Sequence, residues 1–204
     1  MPVPVVIVQH AEKARHGDDP GLTPAGVAQA QAVAQALSPA GIAAIYASPL
    51  RRAQETARPI SAACRVPVTT ESALLERMNW TAASGLSIAE FLIEWERSSR
   101  DRDYVPPLGE SSNAVATRVL RWLHQLPAQH DRLVVAVGHG GATVDALRTL
   151  LGDVELHRRA PGLIEDGVPC GALTNLIVED DGSVHVGGIA AVDHLQLTGR
   201  HRIV

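Results

Sequence analysis

The sequence predicts an α/β fold: three layers, with a mostly parallel central sheet and helices on both faces. Three observations carry that expectation. Short β-branched runs alternate along the chain with segments whose apolar residues recur at helical spacing. Two of the runs, Val3–Val8 and Leu133–Val137, are apolar throughout, as strands covered on both faces are. Helix-start signals follow the strands after short polar loops.

The elements follow in order. Val3–Val8 is the first buried strand. Thr23-Pro24 then opens a helix, with Thr as N-cap and Pro at its first position. Val27, Ala30, Ala34 and Leu37 keep its period until Pro39 and Gly41 stop it. Ile42–Tyr46 is a short strand, and Ser48-Pro49 opens a helix expected to reach about Ala63. Val66–Val68 contains Pro67, which places it at a sheet edge. From about Leu74 to Pro107 the rhythm breaks. This stretch holds Trp80, Phe91, Trp95 and Tyr104 and a mixed-charge run over Glu94–Asp103, with a helical piece around Ile88–Arg97. It is too short for a core of its own and reads as an excursion or lid on a single domain spanning 1–204. Its aromatic residues have two expected uses, anchoring the excursion or touching substrate. A helix over Ser111–Leu126, the strand Leu133–Val137 and a helix over Ala142–Leu151 restore the alternation. A Gly/Pro-rich loop leads to Ala172–Val178 and Val184–Val186, which flank the turn signal Asp180-Asp181-Gly182 and predict a hairpin.

Composition narrows the function. The chain has 204 residues, of which 46% are hydrophobic and 20% charged, ordinary globular values that exclude disordered, collagen-like and coiled-coil classes. Its net charge of −4 lacks the basic footprint of nucleic-acid binding. The apolar opening is far short of a membrane span and lacks the basic start of a secretory signal. Cys64 and Cys170 make neither a disulfide scaffold nor a CxxC zinc pair and read as buried small hydrophobes. The expectation is a cytoplasmic protein with no nucleic-acid or membrane partner. Lys13 is the only lysine, so a phosphate-binding cation here is expected to be arginine. The Ala and Arg bias fits a GC-rich bacterial genome.

In open α/β sheets, sites collect at the carboxyl ends of strands. Three polar clusters sit at such ends: His10, the run Ser48–Arg52, and His139. Any one of them alone is more often structural. Two histidines and an arginine at three separate strand exits point to a site.

These residues lie in motifs. Gln9-His10-Ala11 ends the first strand. Ser48-Pro49-Leu50-Arg51-Arg52-Ala53-Gln54-Glu55-Thr56-Ala57 follows the second. Leu22-Thr23-x-x-Gly26, Leu74-Leu75-Glu76, Gly109-Glu110-Ser111 and Val137-Gly138-His139-Gly140-Gly141 complete the set. Together they resemble the histidine phosphatase superfamily, the phosphoglycerate-mutase-like group, over nearly the whole chain. The resemblance implies His10 as nucleophile forming a phosphohistidine, Arg52 and His139 holding phosphoryl oxygens, and Glu76 as general acid. It implies neither metal nor cofactor. The chemistry is coherent in itself. A neutral imidazole can attack phosphorus, cationic donors stabilise the dispersed charge, and a carboxylic acid protonates the leaving oxygen. Gly140 and Gly141 open a helix whose N–H groups favour anions.

Two departures stand out. Gln9 replaces the arginine of the family's Arg-His-Gly, and Ala11 replaces its glycine. Gln9 can donate hydrogen bonds but brings no charge. Lys13, Arg15 and His16 follow closely and could compensate, and Arg77 adds a further candidate contact beside Glu76. The expected substrate-binding set is therefore Gln9, Arg15, His16, Arg77 and Gly140. Arg15-His16-Gly17 spells the family signature literally but follows no strand, so His16 is not the expected nucleophile. Arg51 is expected in solvent, as are His124, His130, His157, His185 and His201, while His194 is expected to be structural. The reading is a metal-independent phosphomonoester hydrolase acting on a small metabolite. The alternatives are a weakened or repurposed member that binds a phosphorylated ligand or acts on something other than a phosphoester, and, less favoured, a phosphoglycerate-type mutase. The oligomeric state is not legible.

Overall fold

Six strands form one sheet in the computed structural model, which describes residues 1–196. They are β1 (Val3–Gln9), β2 (Ala44–Ala47), β3 (Val68–Thr70), β4 (Val134–Gly138), β5 (Leu173–Val178) and β6 (Val184–Val186), in the order β3-β2-β4-β1-β5-β6. The first four in that order run parallel. β5 pairs antiparallel with β1, and β6 with β5. The expected mostly parallel sheet is present, closed on one side by the Asp180–Gly182 hairpin.

The side-chain period of two divides the strand residues between two cores. On one face Val3, Val5, Ile7, Val134 and Ala136 pack with Val115, Val119, Trp122 and Leu123 of α4 (Ser112–Leu123) and with Ala142 and Ala146 of α5 (Gly140–Leu151). On the other, Val6, Val8, Val135 and Val137 meet Val33, Ala34 and Leu37 of α1 (Pro24–Leu37) and Ala53, Ala57 and Ile60 of α2 (Arg51–Cys64). Both faces of β1 and β4 are thus covered, which is why their sequences alternate nothing.

Thr23 caps α1 as expected, its Oγ accepting from the Gly26 N–H at 3.0 Å. α2 begins at Arg51 with Leu50 in the N-cap position, later than Ser48-Pro49 suggested, and the Ser48 hydroxyl meets His139. β3 lies at 68–70, just beyond the expected edge segment, and α4 stops at Leu123. Asp153–Arg159, expected as loop, is a helix, α6, packed through the buried Leu156. The short helices α7 (Leu163–Asp166) and α8 (Asp193–Gln196) follow.

Residues 74–107 contain α3 (Ile88–Arg100), which opens with a capping box between Ser87 and Glu90. Arginines tie this segment to α5. Arg77 bonds Asp145 at 3.1 Å, Arg102 donates to Thr149 at 2.7 Å, and Arg148 reaches back to the Ser99 carbonyl at 2.8 Å.

Candidate active site

The carboxyl ends of β2, β4 and β1 are side by side. Gln9 is paired with Gly138 and Ala47 with Val137, so His10, His139 and Ser48 leave the sheet at one level. The rings of His10 and His139 stand 5.2 Å apart, edge to face.

His10 is buried, and its Nδ1 donates to the Ala11 carbonyl at 2.8 Å. That bond leaves Nε2 with its lone pair. Burial lowers the His10 pKa to about 4; the Ala11 bond opposes this, and Arg52 and Lys13 add to it. The ring is therefore a neutral base near pH 7. Ala11 is fully buried and donates its N–H to Thr56 Oγ at 3.0 Å, so its methyl is accommodated by packing. His139 is wholly buried, and burial, then Arg52 and His10, hold its pKa well below the ordinary value. Its Nε2 meets Ser48 Oγ at 2.7 Å while its buried Nδ1 has no partner among the described residues. Ser48 Oγ also accepts from the Leu50 N–H at 3.4 Å. The serine hydrogen is then free for His139 Nε2, which places the imidazole proton on Nδ1.

Arg52, on the first turn of α2, is 4% exposed. It donates to Asn79 Oδ1 at 3.2 Å and stands 4.0 Å from Asp19, and its Nε has no partner among the described residues. Glu76 lies against the N-terminus of α5. Its Oε1 accepts from the Arg77 and Ala142 N–H groups at 2.8 and 2.9 Å, and its Oε2 accepts, among the described residues, only from Gly141, at 3.1 Å. Gly141 is needed there. A Cβ at that position would come within 2.5 Å of Glu76 Oε1 and 2.6 Å of Trp95.

His10, Arg52 and Glu76 share the wall of a cavity of about 300 Å³ with Lys13 and Arg15 and with an apolar side that includes Trp80, Phe91 and Trp95. His139 sits behind His10. Three of the excursion's aromatics therefore face this cavity, whereas Tyr104 packs within the excursion itself, donating to Glu94 and lying under the Arg97 guanidinium. Of the expected substrate-binding residues, Arg15 lines the cavity. His16 does not; it is exposed on a loop. Gln9, Arg77 and Gly140 line an adjoining cavity instead. The Arg77 charge is already taken by Asp145, Ser99 and the face of Trp95.

Other expectations divide. Arg51 is exposed beside Glu55 and His194 bonds the Gly171 carbonyl, as read from sequence. His130 is half-buried and bonds Tyr46 Oη at 3.0 Å, contrary to its expected solvation. Both cysteines are only half-buried. His201 lies outside the described residues. The sequence reading missed Ser48, Thr56 and Asn79 as partners of the site. The first two sit in the motif after β2, which was the available signal.

A family model described as histidine phosphatase superfamily (branch 1) matches residues 6–168. The chain belongs to that superfamily. It is 33% identical over 163 residues to a 2,3-bisphosphoglycerate-dependent phosphoglycerate mutase of Beijerinckia indica, a match covering 74% of this chain and 78% of the relative. It is 45% identical over 83 residues to an uncharacterized Mycobacterium tuberculosis protein, of which the match spans only 41%. A solved mycobacterial glucosyl-3-phosphoglycerate phosphatase, in complex with inorganic phosphate, superposes with a TM-score of 0.74 at 25% identity, over 94% of this chain and 98% of that one. Phosphatases are thus among its structural neighbours and phosphoglycerate mutases among its sequence relatives. Among the described residues, no helix is long and apolar enough to cross a membrane.

Proposed function

We propose that the protein is a metal-independent phosphomonoester hydrolase acting on a small phosphorylated metabolite through a phosphohistidine. The observation that carries this is the neutral His10, with Nε2 bare, in a cavity wall shared with Arg52, Lys13 and Arg15. Arg52 stands on the cavity wall and His139 beside His10, and the resemblance gives both to the phosphoryl oxygens. One domain carries this site, and the 74–107 excursion walls it.

In the first step His10 Nε2 attacks phosphorus, the ester P–O bond breaks, and the leaving oxygen takes a proton from Glu76. We assign that proton to Oε2, which accepts one N–H among the described residues where Oε1 accepts two. In the second step Glu76 removes a proton from water, the hydroxyl attacks the phosphohistidine, and the N–P bond breaks to restore His10. Arg52 and the neighbouring donors stabilise the charge spread over the phosphoryl oxygens in both steps. The fixed Nδ1 bond to Ala11 aims the nucleophile throughout.

The test is phosphate release from 4-nitrophenyl phosphate and a panel of phosphorylated metabolites, with EDTA present. Release that persists in EDTA and is lost in His10→Ala is expected. Loss in His16→Ala with retention in His10→Ala would reverse the choice of nucleophile. No release from any ester would remove the hydrolase reading.

A further inference from the structure

The cavity at His10 is charged in one part and apolar in another. Its cations are Lys13, Arg15 and Arg52. Arg52 stands 4.0 Å from Asp19, whereas neither Lys13 nor Arg15 has an ion-pair partner within 4.0 Å among the described residues. Glu76 adds no charge while it holds the proton for the leaving oxygen. Set against Asp19, these cations leave enough charge for one phosphate dianion and none for a second anionic group.

Trp80, Phe91, Leu92 and Trp95 line the apolar part, and Met78 lines the same cavity. The polar side-chain atoms on that side are already engaged. Trp80 donates its indole N–H to the Leu86 carbonyl at 2.9 Å. Asn79 accepts from Arg52 at 3.2 Å and donates to the Asp18 carbonyl at 3.3 Å. A hydroxyl or carboxylate brought against this wall would lose water, with only Asn79, bonded at both ends, to replace it. An apolar group pays no such cost. Leu92 is 57% exposed and the three rings are half-buried, so the wall keeps apolar surface in water that such a group would cover.

The rings are held in place. Phe91 and Trp95 stand 6.2 Å apart between centroids, with their planes tilted by 37°. The Arg77 guanidinium lies 4.3 Å from the centre of the Trp95 ring and is itself fixed by Asp145 and Ser99. Arg77 and Trp95 both line the second, adjoining cavity, so this clamp stands at the boundary of the two spaces. A ring that is already fixed loses little freedom when a ligand packs on it.

We infer that the leaving group of the substrate is an uncharged alcohol bearing an aromatic ring, which packs against Trp80, Phe91 and Trp95 while the phosphate meets His10, so that the substrate is an arylalkyl phosphate. This rests on the hydrolase reading above. A ring is favoured over an alkyl chain because aromatic pairs gain more than the area they bury. The cavity, at about 300 Å³, is at the small end for a ligand site, which suits one ring beside the phosphate.

The experiment compares 3-phenylpropyl phosphate with propyl, 3-cyclohexylpropyl and 2-carboxyethyl phosphate. All are primary alkyl esters, so the basicity of the leaving alcohol is held nearly constant. The wild type should favour the phenyl over the propyl ester by about thirtyfold in kcat/KM, mainly through KM, since a half-exposed wall removes only part of the ring from water. It should favour phenyl over cyclohexyl by about threefold, and the carboxyethyl ester should be the poorest. In Phe91→Leu the phenyl-to-cyclohexyl ratio should fall toward one. In Leu92→Gln, at an exposed position where folding is not at stake, the phenyl-to-propyl ratio should drop several-fold. Equal kcat/KM for the phenyl and propyl esters would overturn the inference, as would a cyclohexyl ester that matches the phenyl ester or a carboxyethyl ester that is turned over best. Ratios unchanged in both variants would also overturn it. Equilibrium binding of the same esters to His10→Ala separates the two claims. If no ester is turned over, the hydrolase reading fails, while tighter binding of the phenyl than the propyl ester still supports the subsite and equal binding rejects it.

Discussion

Replacing Ser48 by alanine removes the only hydrogen-bond partner that His139 Nε2 has among the described residues. The Ser48–His139 contact is 2.7 Å long and both side chains are fully buried, so neither water nor a neighbour can substitute. An unpaired buried polar group costs about 1–3 kcal/mol. For a chain of this size each kcal/mol moves Tm by about 2–4 °C, so a loss of roughly 2–12 °C is expected. The effect on catalysis is separate. Without the serine hydrogen on Nε2, the imidazole proton is free to shift from Nδ1, and a phosphoryl oxygen loses a positioned donor. Losing one such donor typically costs about 10²–10³ in kcat. The assay pairs a thermal melt with 4-nitrophenyl phosphate kinetics on wild type, Ser48→Ala and Ser48→Cys, the last keeping a weak donor. A kcat deficit in the alanine variant that the cysteine partly restores is expected. Turnover equal to wild type in Ser48→Ala would refute the tautomer argument, even if Tm fell.

Three further outcomes follow from the site. The folded pKa of His10, about 4, lies below the unfolded value near 6.5, so the unfolded chain takes up the proton first; the contribution of His10, about 3 kcal/mol, is complete above pH 6.5 and is lost as pH falls toward 4, and melts of His10→Ala should show a shallower acid loss than wild type, identical slopes being the contrary result. Glu76→Gln should slow alkyl phosphates far more than 4-nitrophenyl phosphate, whose leaving group needs little protonation, and equal losses would remove the general-acid role. Gln9→Arg should tighten vanadate roughly tenfold if the new guanidinium reaches the phosphoryl pocket past Gly140, whereas unchanged vanadate inhibition would mean that position 9 serves only the second cavity.

Local physics was enough for much of this protein. The unbroken apolar runs of β1 and β4 announced strands covered on both faces, and Thr23-Pro24 announced the start of α1. The motifs around His10, Arg52, Glu76 and His139 pointed to the superfamily, because each carries its residue types at fixed spacing within a few positions. What remained hidden depended on contacts distant in sequence. Nothing local says that β4 lies between β2 and β1, yet that order sets His10 and His139 5.2 Å apart. Ser48 looked like a helix cap until the fold supplied His139, 91 residues away, as its partner. Arg77 adjoins Glu76 in sequence but turns to Asp145, because an arginine brought into the interior must meet a carboxylate there. The sequence alone determined which groups are available to react. The tertiary structure decided which cavity each one faces, since burial and charge pairing are settled only when segments far apart in the chain are packed together.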